Sequence, residues 1–330
     1  MRPFRYERAT DPASAVALLA RSPQAAFLGG GTNLVDLMKL DVARPDLLVD
    51  IRGVTSRAIE ELPDGGVRIG AGVSNSDLAA DPLVRRRYPV VAQAVLNGAS
   101  TQLRNLATVG GNLLQRTRCL YFQDVTTACN KREPGTGCSA IAGHNRDLAI
   151  LGTSPECIAT NPSDLAVALA AMDAVVQTVG PDGGRRIPLT ELHRLPGSEP
   201  QHDNVLTHGE LITAVDLPPL AVAARSYYRK IRDRASYAFA LVSVAAAIDL
   251  ADGRVRDVRI ALGGVAHKPW RATRAEDLLR GGPVDEQRLR RAAEAELADA
   301  RPQSANAFKI PLARNAIVRT VLDLVQAAPA

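Results

Sequence analysis

The whole cysteine complement of this chain lies in one short window. Cys119, Cys129, Cys138 and Cys157 are spaced C-x9-C-x8-C-x18-C, and none occurs elsewhere. Residues 116 to 156 are polar and show no sustained hydrophobic period. Such a stretch reads as an irregular insertion that something other than a core must hold in place. A chain made in a reducing compartment rarely gathers all its thiols for disulfides, so metal or redox chemistry is indicated. Four thiolates can hold a tetrahedral zinc ion or a cubane iron–sulfur cluster. Structural zinc usually draws on close pairs such as C-x2-C, which are absent here. Arg116 and Arg118 precede the first cysteine, and Lys131 and Arg132 follow the second. Positive charge favours the reduced, more negative state of a cluster. From spacing alone a [4Fe–4S] cluster leads, with zinc and unliganded thiols left open.

Two glycine segments point to a ligand. Phe27-Leu28-Gly29-Gly30-Gly31-Thr32-Asn33-Leu34 sits between an apolar run and a helical one. Glycines let the backbone approach a diphosphate, and successive N–H groups form an anion nest. The dinucleotide fingerprint fails, because Leu34 stands where its third glycine belongs. Taken alone, such a run is more often a plain turn. A second segment, Ala107-Thr108-Val109-Gly110-Gly111-Asn112, again combines glycines with small polar side chains. Two loops of this kind suit one long phosphorylated ligand.

The pattern elsewhere predicts two α+β domains, divided near Pro218-Pro219 and the Ala-rich run 221–224. Strands are predicted at Ala25–Leu28, Leu47–Ile51, Gly66–Gly72 and Glu210–Leu217. Ser74 or Asn75 is a candidate N-cap, and Ser163–Met172 reads as a helix with Asp164 in its first turn. Residues 174–189 and 243–263 read as hairpins, and the last 60 residues carry three helical patterns.

The net charge of +5 is scattered, which fits a solvated surface better than a nucleic-acid face. No apolar stretch approaches the roughly 20 residues a membrane helix needs. The opening residues lack a signal h-region, so cytoplasmic folding is the expectation. Export as a passenger on a signal-bearing partner, to the periplasm, is left open. The five histidines form no ligand spacing.

Together these segments resemble the FAD-binding subunit of the xanthine dehydrogenase and aldehyde oxidoreductase family of molybdenum hydroxylases. Its carriers include Phe4-Arg5-Tyr6-Glu7-Arg8, both glycine segments and Asn161-Pro162-Ser163-Asp164-Leu165. Gly209-Glu210-Leu211-Ile212, Tyr228-Arg229-Lys230, Arg232 to Tyr237 and Ala261 to Ala266 complete the set. The cysteine window is similar to that of the bacterial periplasmic aldehyde oxidoreductase subgroup, through Gln115 to Cys119 and Cys129-Asn130-Lys131-Arg132.

The resemblance implies a two-subdomain FAD-binding fold of the PCMH/VAO type over residues 1–220, with an iron–sulfur insertion at 116–157. A smaller α+β domain of the CO dehydrogenase flavoprotein type follows over 221–330. It implies that Phe27 to Leu34 bind the FAD diphosphate, and that Thr108, Gly111 and Asn112 contact diphosphate and ribityl. Asp164 would accept from a nucleotide hydroxyl, Ile212 would pack on a ring, and Lys230 and Tyr237 would lie near the isoalloxazine. Cys119, Cys129, Cys138 and Cys157 would hold a [4Fe–4S] cluster. Read without the resemblance, Asp164 is a first-turn carboxylate favoured by the helix dipole, and Lys230 a surface lysine. No catalytic residue is implied. Electrons would come from a [2Fe–2S] partner subunit, substrate being oxidised on a molybdopterin-binding large subunit, and leave to an external acceptor. The competing readings are a xanthine dehydrogenase-type subunit, a self-contained flavin oxidoreductase and a zinc-stapled scaffold.

Overall fold

The computed structural model of the chain describes residues 1–326; residues 327–330, at the end of the expected 221–330 domain, lie outside them. Three sheets organise the chain. The first is parallel: β1 (Arg5–Arg8), β2 (Ala26–Leu28) and β3 (Leu47–Asp50) run in the order β1-β3-β2. The helix Pro12–Leu19 connects β1 to β2. It starts at a capping box in which Ser14 N donates to Asp11 Oδ1 at 2.7 Å and Asp11 N donates to Ser14 Oγ at 3.0 Å. Ala15, Leu18 and Leu19 bury against Leu47 and Val49.

The second sheet is antiparallel and joins distant parts of the chain. Its strands β4 (Ile59–Glu61), β5 (Val67–Gly70), β6 (Val175–Val179), β7 (Arg186–Pro188) and β8 (Leu211–Leu217) run β4-β5-β8-β6-β7. The helices Pro89–Asn97 and Asp164–Ala171 share its core, where Val91, Leu165 and Leu169 bury with Val176 and Val215.

The third sheet comprises β9 (Ser226–Ile231), β10 (Val242–Ala251), β11 (Arg254–Gly263) and β12 (Trp270–Arg271), in the order β12-β11-β10-β9. The β10–β11 hairpin turns through Asp252 and Gly253, both at positive φ, as a tight two-residue turn requires. Strand alternation divides the sheet between two cores. Val244, Ala246, Ile248, Ile260 and Leu262 face the helices Thr273–Leu279, Glu286–Glu296 and Lys309–Gln326. Ala245, Ala247 and Ala261 face the other way and join the alanine-rich helix Asp164–Ala171. Small side chains on both surfaces let sheet and helix approach closely. No helix among the described residues is long and apolar enough to cross a membrane.

Two expectations need correction. The second glycine segment is not a loop: Val109–Leu113 is a short helix, and Thr108 is its N-cap. The cysteine window is irregular, as expected, with single-turn helices at Leu120–Gln123 and Ser139–Ala142. It nevertheless has a core, in which Phe122, Ala140, Leu148 and Ile158 bury with three cysteines and Leu37. Ile150 and Leu151 join the core of the third sheet. These side chains gather through turns and not along one helix face or strand, so no period announces them.

Candidate functional site

A cavity of about 740 Å³ opens where the loop after β2, the Thr108-capped helix, the helix Asp164–Ala171 and β9 converge. Every residue expected to hold the nucleotide lines it except Leu28. The Leu28 side chain turns instead toward Gly31, where an added Cβ would meet its Cδ1 at 3.3 Å.

The two glycine segments touch each other. A Cβ on Gly30 would stand 2.0 Å from Leu106 O, and one on Gly29 would stand 3.2 Å from Thr108 Oγ1. Gly30 is therefore constrained by the neighbouring backbone, and the positive φ of this run belongs to Gly31, at 73°. The second segment is pinned to the end of β5. Gly110 N donates to Ala71 O at 2.9 Å, Val109 N donates to Val73 O at 3.0 Å, and Ser74 bridges Thr108. Ser163 Oγ donates to Asn112 Oδ1 at 2.6 Å, which fastens the segment to the start of the next helix.

That helix and β9 supply the charged floor. Lys230 Nζ donates to Asp164 Oδ2 at 2.7 Å and to Asn97 O at 3.1 Å, while Tyr228 OH donates to Asp164 Oδ1 at 2.6 Å. Both members of the ion pair are buried, so Lys230 is no surface lysine. Burial, and then the Asp164 charge, push the Tyr228 hydroxyl well above its ordinary range and keep it a donor. Ile212 lines the cavity from β8 with 2% exposure. Tyr237 is 56% exposed and sits at φ 52°, its carbonyl accepting from Arg234 Nε at 3.0 Å. Neighbouring Asp233 makes a two-pronged ion pair with Arg146, at 2.9 Å on each arm. The segment around Tyr237 is thereby tied to the cysteine window.

Sequence reasoning missed Asn75, Arg57 and Glu210 in the lining. Ser74 and Asn75 were equal candidates for a helix cap; Ser74 Oγ accepts from Asp77 N, and Asn75 is buried against the cavity. Asn33 Nδ2 and Asn75 Oδ1 are buried without hydrogen-bond partners, and both residues line the cavity. Orphaned amide atoms at this wall, beside a glycine cradle, fit a polar ligand the size of a dinucleotide.

The four cysteines are free thiols, three buried and Cys138 partly so. Cys129 and Cys138 are paired across a small backbone bridge, with Asn130 N donating to Gly137 O at 2.7 Å. Burial pushes the Cys157 thiol up to about 12, opposed by an Ala159 backbone hydrogen bond and the Lys131 charge. Burial raises Cys119 as well, against hydrogen bonds from the Phe122 and Tyr121 backbone. Among the described residues, no three His, Cys, Asp or Glu side chains are grouped so as to hold a metal ion. The four cysteines nevertheless converge on one small core, three of them buried in it and Cys138 packed against it.

Beside them Lys131 is buried, its Nζ donating to Pro200 O at 2.6 Å and to the Asp203 carboxylate. Burial works against the charge on Asp203, but Arg116 and Lys131 together hold its carboxyl below the ordinary range. His267 is buried next to this pair with neither ring nitrogen partnered, and burial lowers it to about 3.

The geometry offers a cavity suited to a ligand of dinucleotide size, and comparison with known proteins gives the family. Residues 2–220 match the FAD binding domain in molybdopterin dehydrogenase, and residues 226–324 match the CO dehydrogenase flavoprotein C-terminal domain. The chain belongs to this FAD-binding family of molybdopterin dehydrogenase subunits. It is 49% identical to the aldehyde oxidoreductase FAD-binding subunit PaoB of Escherichia coli (strain K12), over 98% of each chain. It is 27% identical to that organism's putative xanthine dehydrogenase FAD-binding subunit XdhB, over 98% of this chain and 96% of the other. Among solved structures, quinoline 2-oxidoreductase from Pseudomonas putida 86 superposes with a TM-score of 0.76 at 24% identity, covering 98% of both chains. Carbon monoxide dehydrogenase from Hydrogenophaga pseudoflava superposes with a TM-score of 0.75 at 25% identity, covering 97% and 96%.

Proposed function

We propose that this chain is the FAD-carrying electron-transfer subunit of a multi-subunit molybdenum hydroxylase that oxidises aldehydes. The observation that carries this reading is the single cavity shared by both glycine segments, Asp164 and Lys230, in a chain 49% identical to an aldehyde oxidoreductase FAD-binding subunit. Bound there, FAD supplies the exchange between two-electron and one-electron transfers. The chain's part is to bind and orient. Gly29 to Asn33 offer backbone N–H groups to the diphosphate, and Thr108, Gly111 and Asn112 close over it from the second segment. Asn33 and Asn75 each have a buried amide atom available to the nucleotide. Lys230, held by Asp164, places a fixed positive charge in the cavity wall.

A cluster-bearing [2Fe–2S] subunit and a molybdopterin subunit complete the complex. Tyr237 and Phe239, large side chains that line the cavity and remain about half exposed, support docking beside the flavin. The four cysteines hold a [4Fe–4S] cluster in this reading. Its support is the gathering of all four thiols in one buried group, with backbone N–H donors at Cys119 and Cys157 and a buried lysine at hand.

The test is the absorption spectrum of the full chain with iron and acid-labile sulfide assays. Flavin bands with about four iron and four sulfide per chain are expected for a cubane. Purified, folded protein that neither carries nor binds FAD would sink the assignment. One zinc per chain without sulfide would overturn the cluster and leave the flavin reading standing.

A further inference from the structure

One carboxylate joins the two proposed cofactor sites. Arg116 belongs to both: its backbone N–H donates to Asn33 Oδ1 of the first glycine segment at 3.0 Å, and its side chain lines the cavity. Its guanidinium stacks on Phe122, 4.6 Å from the ring centroid, in the core that contains the cysteines. Arg116 Nε donates to Asp203 Oδ2 at 2.6 Å. The other oxygen of the same carboxylate accepts from Lys131 Nζ. Lys131 lies two positions after Cys129, and its side chain is 1% exposed. Asp203 comes from a different part of the chain, 87 residues from Arg116 and 72 from Lys131. The remaining neighbours on this side, His193 and His267, are buried and carry no charge to share the task. Two cations, the buried Lys131 and the partly exposed Arg116, thus share a single anion.

We infer that Asp203 is a positioning residue that couples the flavin and cysteine sites, fixing Arg116 and Lys131 and holding down the reduction potential of both. The inference rests on the FAD and cluster reading above. An electron arriving at either site adds negative charge close to Arg116 or Lys131. With Asp203 present, each cation is partly neutralised and stabilises that charge less. Without it, both cations act un-neutralised, Lys131 in a poorly solvated place and Arg116 at the cavity wall, and reduction becomes easier.

The experiment is a redox titration of the full chain, following flavin and cluster separately by their spectra, with iron and FAD measured per chain. Asp203→Asn keeps shape and removes charge; both midpoints should shift upward while iron and FAD contents hold. Asp203→Glu should return them most of the way. Glu199→Gln, an exposed change in the same segment, should shift neither. Asp203→Asn with full iron and FAD and both midpoints unmoved would overturn the inference. Should that variant lose a cofactor, Arg116→Gln carries the test with opposite sign: removing a cation lowers the flavin midpoint, and an unmoved midpoint overturns the proposal. Wild-type protein without iron would refute the cluster reading alone, because the flavin midpoint still tests Asp203.

Discussion

Lys230 Nζ stands 2.7 Å from Asp164 Oδ2, joining β9 to the first turn of a helix 66 residues earlier. The lysine side chain is 1% exposed and the carboxylate 9%. A pair this deep costs desolvation to form, and removing one partner strands the other. Lys230→Met should therefore destabilise the protein by about 3–5 kcal/mol and reduce flavin content. Asp164→Asn combined with Lys230→Met should be milder than Lys230→Met alone. Denaturant midpoints with flavin per chain decide it; a single variant as stable as wild type refutes the coupling.

Gly30 is held by backbone and not by conformation. Its added Cβ would lie 2.0 Å from Leu106 O, so even Gly30→Ala must push the two glycine segments apart. The expected cost is about 1–3 kcal/mol, with loss of FAD retention. Gly53→Ala, where nothing lies within 4 Å of the new Cβ, is the matched control. Full flavin occupancy in Gly30→Ala would show that the segments can separate without harm to the site.

The cysteines should act as a unit. Replacing any one of Cys119, Cys129, Cys138 or Cys157 by serine should lower iron and sulfide well below about four per chain and loosen residues 116 to 156. FAD, held by other segments, should stay. In iron-free protein at neutral pH, partly exposed Cys138 should alkylate first, and Cys157, its thiol raised to about 12, should resist until unfolding. Mass spectrometry of the labelled peptides gives the order; equal labelling of all four in folded protein would contradict the buried cluster.

Lys309 provides a pH test of the C-terminal core. Fully buried, it donates to Leu148 O at 3.0 Å and to Gly264 O at 2.8 Å, and burial lowers it from 10.5 to about 7. Nearby Asp147 raises it slightly and Arg146 lowers it. Between about 7 and 10.5 the unfolded chain binds the proton that the folded chain has released. Stability should accordingly rise with pH through that window, and the penalty should be complete below it. Lys309→Met should remove this slope. Melting temperatures of both proteins from pH 6 to 10 check it; a constant difference across the range would refute the buried neutral lysine.

Much of the site was legible in the chain itself. The run Gly29 to Asn33, the second run Thr108 to Asn112 and the cysteine set are local, and residue type alone marks each as a candidate before any partner is known. Strands β2, β3, β5, β8, β10 and β11 fell where short apolar runs met turn residues, because strand and turn preferences are local too.

What only the tertiary structure decided is which distant residues meet. Gly30 has no room for a Cβ because Leu106 lies against it, Lys230 is buried where Asp164 faces it, and Asp203 bridges Arg116 and Lys131 from two other segments. Nor could a period search find the core around Phe122 and the cysteines, since its members lie on turns with no common repeat. Residue type and spacing set the chemistry each segment can offer. Burial and charge pairing across long sequence separations select which of those offers become a site, since both depend on neighbours that sequence order does not bring together.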